Sequence, residues 1–435
     1  MSQFQLVVVG ILMALALVAV LIISGVIPGL GIGGGGKAAN INIWGTIPFD
    51  YVKDVISNLN EKNRSIFNLN YVQKDPLTYE SELVDALAAG RGPDVFLLPQ
   101  DLILKHKDKV LIVPFTSFPK RTFKDTFIGE GELFLSASGV IAFPLVIDPI
   151  VLYWNRDLFA NAAISRPPKT WNEFEDFVPR LTIRDSGGNI IQAGAAFGEF
   201  QNIDHAKDII SLLMLQAGNP IVDSEKLKST LKEEGSSAIS PAESALMFFT
   251  EFSDPLKTTY SWNRSLANSR NSFIAGTLAI YFGYASEYKD IASKNPHLNF
   301  DIDEVPQIKD GSVQATFARM YGLAVSKTSA NAVAALNAVY NLTNQDSVSK
   351  ISQNAYLPPG RRDLLSQNIE DPALSVFYKS AIKSRAWLEP DPQKVSDLFS
   401  SMIENVITGK KKISDSISDA SQKLDTLLKE INKQQ

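Results

Sequence analysis

The side chains of this chain that could do chemistry are mainly carboxylates and aromatic rings. The sequence has no cysteine and only three histidines, His106, His205 and His297, which lack metal-ligand spacing. Thiolate, disulfide and zinc chemistry are therefore not expected, and no metal site or cofactor is predicted. Hydrolase signatures such as Gly-x-Ser-x-Gly and His-Glu-x-x-His are also absent from the sequence. The chemistry that remains is hydrogen bonding and ion pairing by acids, and stacking by aromatic rings.

One acid is prominent because it interrupts an apolar run. Asp148 lies within segment 145–153, after Phe143-Pro144. An unpaired carboxylate in such a run is costly, and a cleft between two lobes is a place where a ligand satisfies the charge. A salt bridge with a nearby arginine is the alternative reading of Asp148. Residues 153–157 are predicted to open a helix, and Thr170 is predicted to cap a second helix.

The elements that would position such groups alternate between strands and helices in the first part of the chain. Strands are predicted at 41–45, 67–72 and 95–98, with helices at 49–60 and 79–89 between them. This order is typical of a doubly wound α/β sheet, in which ligands lie beyond the carboxyl ends of the strands. The candidate ligand-binding residues at those ends are Trp44, Thr46, Gln100 and Asp101. Trp44 could stack on a sugar ring, or it could be a core residue.

The segment 139–181 carries an ordered set of motifs. It contains Gly-x-x-x-x-Pro, the acid Asp148 four residues later, Tyr-x-Asn-Arg-Asp-Leu-Phe, and Pro-Pro-x-Thr-Trp-x-Glu-Phe. This order resembles the type 1 extracellular solute-binding proteins of ABC importers, a family that includes the maltodextrin-binding proteins. The resemblance extends from about Ile41 to the end of the chain, through segments such as 273–284, 320–326 and 356–363.

The resemblance implies an α/β fold with two lobes, each a doubly wound sheet with flanking helices, as in the type II periplasmic-binding-protein-like fold. The N-terminal lobe would comprise residues 40–146 and 322–368. The C-terminal lobe would comprise residues 147–321 and 369–435. The C-terminal stretch from Ile413 to Ile431 has the apolar spacing of an amphipathic helix, which is expected to pack on the C-terminal lobe.

The resemblance also implies a set of ligand-binding residues in the cleft. Asp148 matches the acid of the first crossing between lobes. Tyr284, Ser286, Arg319 and Tyr321 would come from the C-terminal lobe and the second crossing, although Tyr321 could equally be hinge packing. Two further candidates, in irregular segments, are Phe200 and Trp387. A tryptophan that the family often carries is replaced here by Ser286, so polyols, glycerol phosphodiesters and peptides remain open beside carbohydrates.

The N-terminus predicts a membrane anchor. Residues 6–27 contain no charged side chain, and a helix of that length can cross about 30 Å of hydrocarbon. The apolar stretch is longer than that of a usual signal peptide and has no basic leader, so residues 1–28 are predicted to be an uncleaved single-pass helix. Residues 29–39 are rich in glycine and form a flexible linker. The family resemblance places the globular part on the extracytoplasmic side.

These observations predict a binding protein and not an enzyme. The net charge of −5 and the lack of a basic stretch argue against nucleic-acid binding. The expected function is capture of a small solute, with a carbohydrate favoured, by a monomer that delivers it to the permease subunits of an ABC importer. A membrane-anchored module for sensing or adhesion is the alternative, and an anchored glycan-active enzyme is a third option.

Overall fold

The computed structural model describes residues 38–233 and 239–433. The strands in these residues are β1 Ala39–Gly45, β2 Phe67–Gln73, β3 Val95–Pro99, β4 Val113–Pro114, β5 Gly139–Val140, β6 Phe143–Asn155, β7 Ile183–Arg184, β8 Ile190–Ala195, β9 Val222–Asp223, β10 Lys228–Ser229, β11 Leu278–Tyr284, β12 Phe300–Asp303, β13 Thr316–Val325 and β14 Ser384–Arg385. The predicted anchor 1–28 and nearly all of the predicted linker 29–39 lie outside the described residues.

The helices surround the strands. They are α1 Phe49–Lys62, α2 Tyr79–Ala88, α3 Ile103–His106, α4 Lys120–Thr126, α5 Arg156–Asn161, α6 Trp171–Leu181, α7 Ala206–Gln216, α8 Pro241–Glu251, α9 Ser269–Ile274, α10 Tyr288–Lys294, α11 Ala332–Leu342, α12 Gln345–Ala355, α13 Arg362–Leu365, α14 Pro372–Ile382, α15 Pro392–Ile407 and α16 Ile413–Lys433. None of the helices in the described part of the chain is long and apolar enough to span a membrane.

A ten-stranded sheet runs through both α/β lobes. Its main path is β2-β1-β3-β13-β6-β11-β8-β7, with β12 added beside β6 and β14 beside β13. β1 pairs in parallel with β2 and β3, as predicted for a doubly wound arrangement. The alternation of short apolar strands with helices in the sequence explains this arrangement, because each helix must bury one face against the sheet.

Two long strands connect the lobes. β6 is almost wholly buried along its length, and it pairs with β13 over Phe143–Pro149 before pairing with β11 over Ile150–Trp154. β13 pairs with β3 through its second half, Tyr321–Val325. The register of β6 and β13 is interrupted between Tyr321 and Gly322. Such an irregularity bends a strand locally, and it lies at the junction of the two lobes.

The helix predicted to open within residues 153–157 begins at Arg156, and Tyr153 and Trp154 still belong to the strand before it. Tyr153 is fully buried in β6, and its hydroxyl group donates a hydrogen bond to the carbonyl oxygen of Tyr284, 2.7 Å away. Asn155 caps α5 by accepting hydrogen bonds from the N–H groups of Asp157 and Leu158. The strand therefore extends to the capping residue, because tertiary burial holds the aromatic residues in the sheet.

The other capping and packing predictions for this region and for the C-terminus are confirmed. Thr170 Oγ1 accepts a hydrogen bond from the N–H of Glu173 at the start of α6. The apolar face of α16 buries Ile417, Ala420 and Leu424, and the helix packs against α15 and α8 of the same chain. The amphipathic C-terminal helix is thus part of the globular core.

Candidate functional site

Asp148 and Arg319 lie opposite each other where the two connecting strands pair. Asp148 is the partner of Arg319 in the antiparallel register of β6 and β13. β11 ends at Tyr284, and a short 3₁₀ helix, Ala285–Glu287, follows it. This turn places the main-chain N–H of Ser286 2.9 Å from Oδ1 of Asp148. Asp148 is only 4% exposed, so three separate elements enclose its carboxylate.

Burial raises the pKa of Asp148 to about 6, because desolvation disfavours the charged form. Hydrogen bonds from Ser286 and the positive charge of Arg319 lower this pKa, whereas the charge of Glu287 raises it further. At neutral pH the carboxylate is therefore largely ionised in a dry environment. Such a group is a strong acceptor for a hydroxyl or ammonium group of a ligand.

Asp208, on the first turn of α7, holds Arg319 in place. Its Oδ2 atom accepts hydrogen bonds from Nη2 of Arg319 at 3.1 Å and from the Tyr284 hydroxyl at 2.7 Å. The guanidinium of Arg319 also lies over the Tyr284 ring, 4.3 Å from its centroid. About a third of the Arg319 side chain (37%) stays exposed, so this fixed guanidinium can still contact a solute.

Charges around Asp208 overcome its burial. Desolvation raises the pKa of Asp208, but Lys207, Arg319 and His205 lower it more, and the resulting pKa is about 2. The carboxylate therefore remains ionised over the whole physiological range. This permanent charge gives the Arg319 guanidinium an anionic partner at every physiological pH.

Lys207 pairs with a carboxylate from a distant part of the chain. Its Nζ atom lies 2.6 Å and 2.7 Å from the two carboxylate oxygens of Glu389, which is 1% exposed. Burial raises the pKa of Glu389 to about 7, against the lowering effect of Lys207. The loop before α15 is thereby joined to α7 by a buried ion pair.

Asp101 brings a carboxylate from the carboxyl end of β3 to the same place. Its electrostatic neighbours are Lys207, Arg319 and Asp208, and burial raises its pKa. Its Oδ1 atom is buried and accepts no hydrogen bond from the described residues. We call the following six residues the interlobe cluster: Asp101, Asp148, Lys207, Asp208, Arg319 and Glu389.

Several predicted ligand-binding residues join this cluster. Tyr284 and Ser286 contact it directly through the hydrogen bonds described above. Tyr321 is partly buried, and its neighbours include Arg319, Asp148 and Asp101; burial raises the pKa of its hydroxyl group. Tyr284 ends β11, Ser286 lies in the 3₁₀ helix that follows, and Tyr321 belongs to β13, so the fold brings these residues together beside Asp148 of β6.

Two of the predicted ligand-binding residues, Gln100 and Trp387, are buried and make contacts within the fold. Gln100 is 1% exposed, and its Oε1 atom accepts a hydrogen bond from the N–H of Met320 at 2.7 Å. Trp387 is 2% exposed, and its ring stacks on Phe399 while Nε1 donates to Ser211 Oγ at 3.4 Å. Gln100 thus ties β3 to β13, and Trp387 fills the core beside α15.

Three predicted residues remain: Trp44, Thr46 and Phe200. The ring of Trp44 is partly buried, and the Lys74 ammonium lies 3.8 Å from its centroid. Thr46 and Phe200 are partly buried, and Phe200 packs against the core. Within the described part of the chain, none of these three makes a hydrogen bond or ion pair with the cluster. Their role in binding stays a prediction.

Sequence reasoning missed Lys207, Asp208 and Glu389. The only signal for the first two is a charged pair at the start of a helix that is otherwise apolar, Ala206–Gln216. Glu389 lies in an irregular segment and carries no signal at all, because its partner is 182 residues away in the sequence. A contact of that kind exists only once the chain is folded.

The arrangement suits binding of a polar solute. It combines fixed carboxylates, an accessible guanidinium and the Tyr321 hydroxyl at a junction between lobes, which are groups that hydrogen-bond a ligand from several sides. Among the described residues, no cluster of histidine, aspartate or glutamate side chains could hold a metal ion. Two α/β lobes connected by crossing strands, with polar groups at the joint, define the class of two-lobed solute-binding proteins.

Comparison with known proteins gives the family. The model of the bacterial extracellular solute-binding proteins matches residues 54–375, and the chain belongs to this family. A binding protein of Brucella abortus (strain 2308) is 22% identical over 391 residues, which cover 87% of this chain and 90% of the relative. The family is one of binding proteins and is extracellular, so the globular part is extracytoplasmic.

Solved structures confirm the two-lobed fold. The cyclic α-maltosyl-1,6-maltose binding protein of Arthrobacter globiformis has a TM-score of 0.76 at 15% identity, covering 90% of this chain and 100% of that chain. The sugar-binding protein MalE of Xanthomonas citri has a TM-score of 0.70 at 16% identity, covering 90% and 98%. At these identities the likeness establishes the fold.

Proposed function

We propose that this chain captures a carbohydrate between its lobes and delivers it to the permease subunits of an ABC importer, without chemical turnover. The observation that carries the proposal is the interlobe cluster at the crossing of β6 and β13. Several solved relatives of the same fold bind sugars by their descriptions, including a cyclo/maltodextrin-binding protein in complex with maltotetraose. Carboxylates and a guanidinium are the groups that hydrogen-bond sugar hydroxyls.

The lobes are proposed to be residues 40–146 with 322–368, and residues 147–321 with 369–435, and the protein is proposed to act as a monomer. Residues 1–28 are proposed to anchor it in the membrane, with 29–39 as a spacer. The uncharged stretch 6–27 supports this anchor. Anchoring would keep the binder close to its permease and raise its effective concentration there.

A thermal-shift screen tests the proposal. The full-length protein in detergent micelles is heated with oligosaccharides, polyols, amino acids, peptides and phosphate esters. A carbohydrate present at about 100 times its dissociation constant is expected to stabilise the fold by roughly 2.7 kcal/mol, because it binds only the native state. The expected result is a clear rise in melting temperature with sugars, and mass spectrometry should recover the sugar unchanged.

Asp148→Ala serves as the site variant in this screen. We expect it to remove most of the sugar-dependent stabilisation, because the solute loses a buried acceptor at the crossing. Glu175→Ala, on the outer helix α6, is the matched control and should leave the shift intact. A shift that survives Asp148→Ala would contradict the site. No shift with any sugar would contradict carbohydrate binding and favour a sensing or adhesion module.

Closure of the lobes is proposed to be assisted by Lys105. Its Nζ atom lies 2.8 Å from Glu80 Oε1 and 3.0 Å from Asp391 Oδ2. Lys105 and Glu80 belong to the proposed N-terminal lobe. Asp391, which caps α15, belongs to the proposed C-terminal lobe. When the lobes separate, Lys105 keeps Glu80 and Asp391 keeps its bond to the Lys394 N–H. Lys105 and Asp391 can therefore separate while each keeps a hydrogen-bond partner.

We expect Lys105→Gln to weaken sugar binding about two- to fivefold, chiefly through faster dissociation, because a partly exposed ion pair contributes up to about 1 kcal/mol. Stopped-flow fluorescence with the sugar found in the screen measures both rates. Lys109→Gln is the control, since Lys109 pairs with the adjacent Asp108. Equal dissociation rates for the two variants would exclude a role for Lys105 in closure.

A further inference from the structure

The interlobe cluster contains more carboxyl groups than cations. Its acids are Asp101, Asp148, Asp208 and Glu389, and its bases are Lys207 and Arg319. Glu287 lies close to Asp148, but its carboxylate is already bound by His205 and Arg270. The two cations therefore face four carboxyl groups, and a solute that enters between the lobes meets more acidic groups than the cations of the cluster can pair.

Two buried oxygens in this cluster lack a hydrogen-bond donor. Oδ1 of Asp208 accepts no hydrogen bond from the described residues, and its nearest cation is Lys207 Nζ at 3.4 Å. Asp208 is 2% exposed. Oδ1 of Asp101 is likewise buried without a hydrogen bond. Buried acceptors of this kind are normally satisfied, so the cluster is short of donors as well as of positive charge.

The raised pKa values of three of these acids agree with the excess of carboxyl groups over cations. Burial raises the pKa of Asp101, Asp148 and Glu389. Neighbouring acids add to each shift: Asp208 raises the pKa of Asp101, Glu287 raises that of Asp148, and Asp101 with Asp208 raises that of Glu389. Lys207 and Arg319 do not fully offset these effects. An additional cation among the acids would lower all three pKa values.

Two of the aromatic rings beside the cluster, Tyr284 and Trp387, offer little free surface for stacking. The Tyr284 ring is covered by Arg319 at 4.3 Å and meets His205 edge to face at 4.7 Å. Trp387 is enclosed against Phe399. Apart from the partly buried Tyr321 ring, the groups that can recognise a solute at the crossing act through charge and hydrogen bonds. Hydroxyl groups would supply donors alone, whereas a protonated amine supplies donors and the missing charge.

We propose that the solute is a carbohydrate that carries a protonated amine, such as an amino sugar, and that the ammonium group binds among the carboxylates of the interlobe cluster. This inference rests on the proposed function, because it names the class of sugar that the same site selects. Acidic sugars are disfavoured, since a carboxylate of the solute would add another acid to a cluster that already has more acids than bases.

Three matched probes test the inference: glucosamine, glucose and glucuronate, with their β-1,4-linked dimers and trimers. These sugars share a ring and differ at pH 7 in charge. Binding to the full-length protein in micelles is measured by calorimetry. We expect the amine-bearing series to bind at least tenfold more tightly than the neutral series, and the glucuronate series to bind most weakly.

Asp148→Asn gives the matched variant, because asparagine keeps an acceptor for the Ser286 N–H but removes the charge. We expect it to reduce the preference for the amine over the neutral sugar about tenfold, whatever its effect on the affinity for the neutral series. Glu175→Gln on α6 is the control and should keep the preference. Equal or tighter binding of neutral or acidic series would overturn the inference and leave carbohydrate capture standing. Failure of all three series to bind would overturn the inference, whereas carbohydrate capture would be overturned only if no sugar of the thermal-shift screen stabilised the protein.

Discussion

Replacing Asp208 with asparagine is expected to lower the free energy of unfolding by about 2–4 kcal/mol at pH 7. The pKa of Asp208 is about 2 in the folded protein against an ordinary value of 3.8, although burial alone would raise it. Each pKa unit corresponds to about 1.4 kcal/mol. Asparagine also leaves Arg319 without its anionic partner, and breaking one side of a buried ion pair is strongly destabilising.

The stability that the Asp208 carboxylate contributes depends on pH. A carboxyl group with a depressed pKa in the folded state contributes stability that is present above pH 3.8 and is lost as the pH falls towards 2. The difference between wild type and Asp208→Asn should therefore be full at pH 7 and 5 and should shrink below pH 4. Urea denaturation at these pH values, followed by circular dichroism, measures it.

Asp346→Asn is the control for this experiment. Asp346 also lies in the first turn of a helix, α12, but is exposed. Its replacement should change stability by less than about 0.5 kcal/mol, the amount expected of a helix-dipole contact at the surface. If Asp208→Asn and Asp346→Asn are equally stable at pH 7, the cluster does not hold Arg319 as we infer.

Replacing Glu130 with glutamine is expected to stabilise the protein at alkaline pH. Glu130 is 5% exposed, on the 3₁₀ segment Gly129–Phe134 beside the connecting strands, and its Oε1 atom accepts no hydrogen bond from the described residues. Burial raises its pKa to about 8 from an ordinary 4.5, while the N–H of Ala386 and the charge of Arg385 lower it. At high pH a charge is therefore trapped in the interior.

Proton binding by Glu130 is linked to folding, and this linkage sets the direction in which stability changes with pH. A carboxyl group with a raised pKa binds its proton more tightly in the folded state, so stability is lost as pH rises from 4.5 through 8. Glutamine has the same shape and does not titrate. Glu130→Gln should differ from wild type by less than about 1 kcal/mol at pH 5, and should be more stable by on the order of 3–5 kcal/mol at pH 9.

Denaturant unfolding between pH 5 and 9 checks this expectation. Glu132→Gln is the neighbouring control, because Glu132 forms a surface ion pair with Lys124 at 2.6 Å. That variant should show a small difference that stays nearly constant over the range. A Glu130→Gln difference that does not grow with pH would show that the Glu130 carboxyl is not buried as described.

The local elements and the class of fold follow from the amino-acid sequence alone. Short apolar strands at 41–45 and 95–98 alternate with amphipathic helices, and this pattern requires helices packed on a sheet. Capping at Thr170 depends on neighbours three residues away, so it was readable from the chain. The sequence also marked Asp148, because an acid in an apolar run needs a partner.

The identity of the partners was decided only by the tertiary structure. Asp148 meets the Ser286 N–H from 138 residues away, and Lys207 meets Glu389 from 182 residues away. No spacing rule connects such residues, because strand register and lobe packing bring them together. Gln100 illustrates the converse: it stands at a strand end, where ligands bind, yet β13 supplies the Met320 N–H that occupies its oxygen. Composition and periodicity fix which face of an element is buried, whereas long-range contacts decide which buried polar groups remain free for a solute.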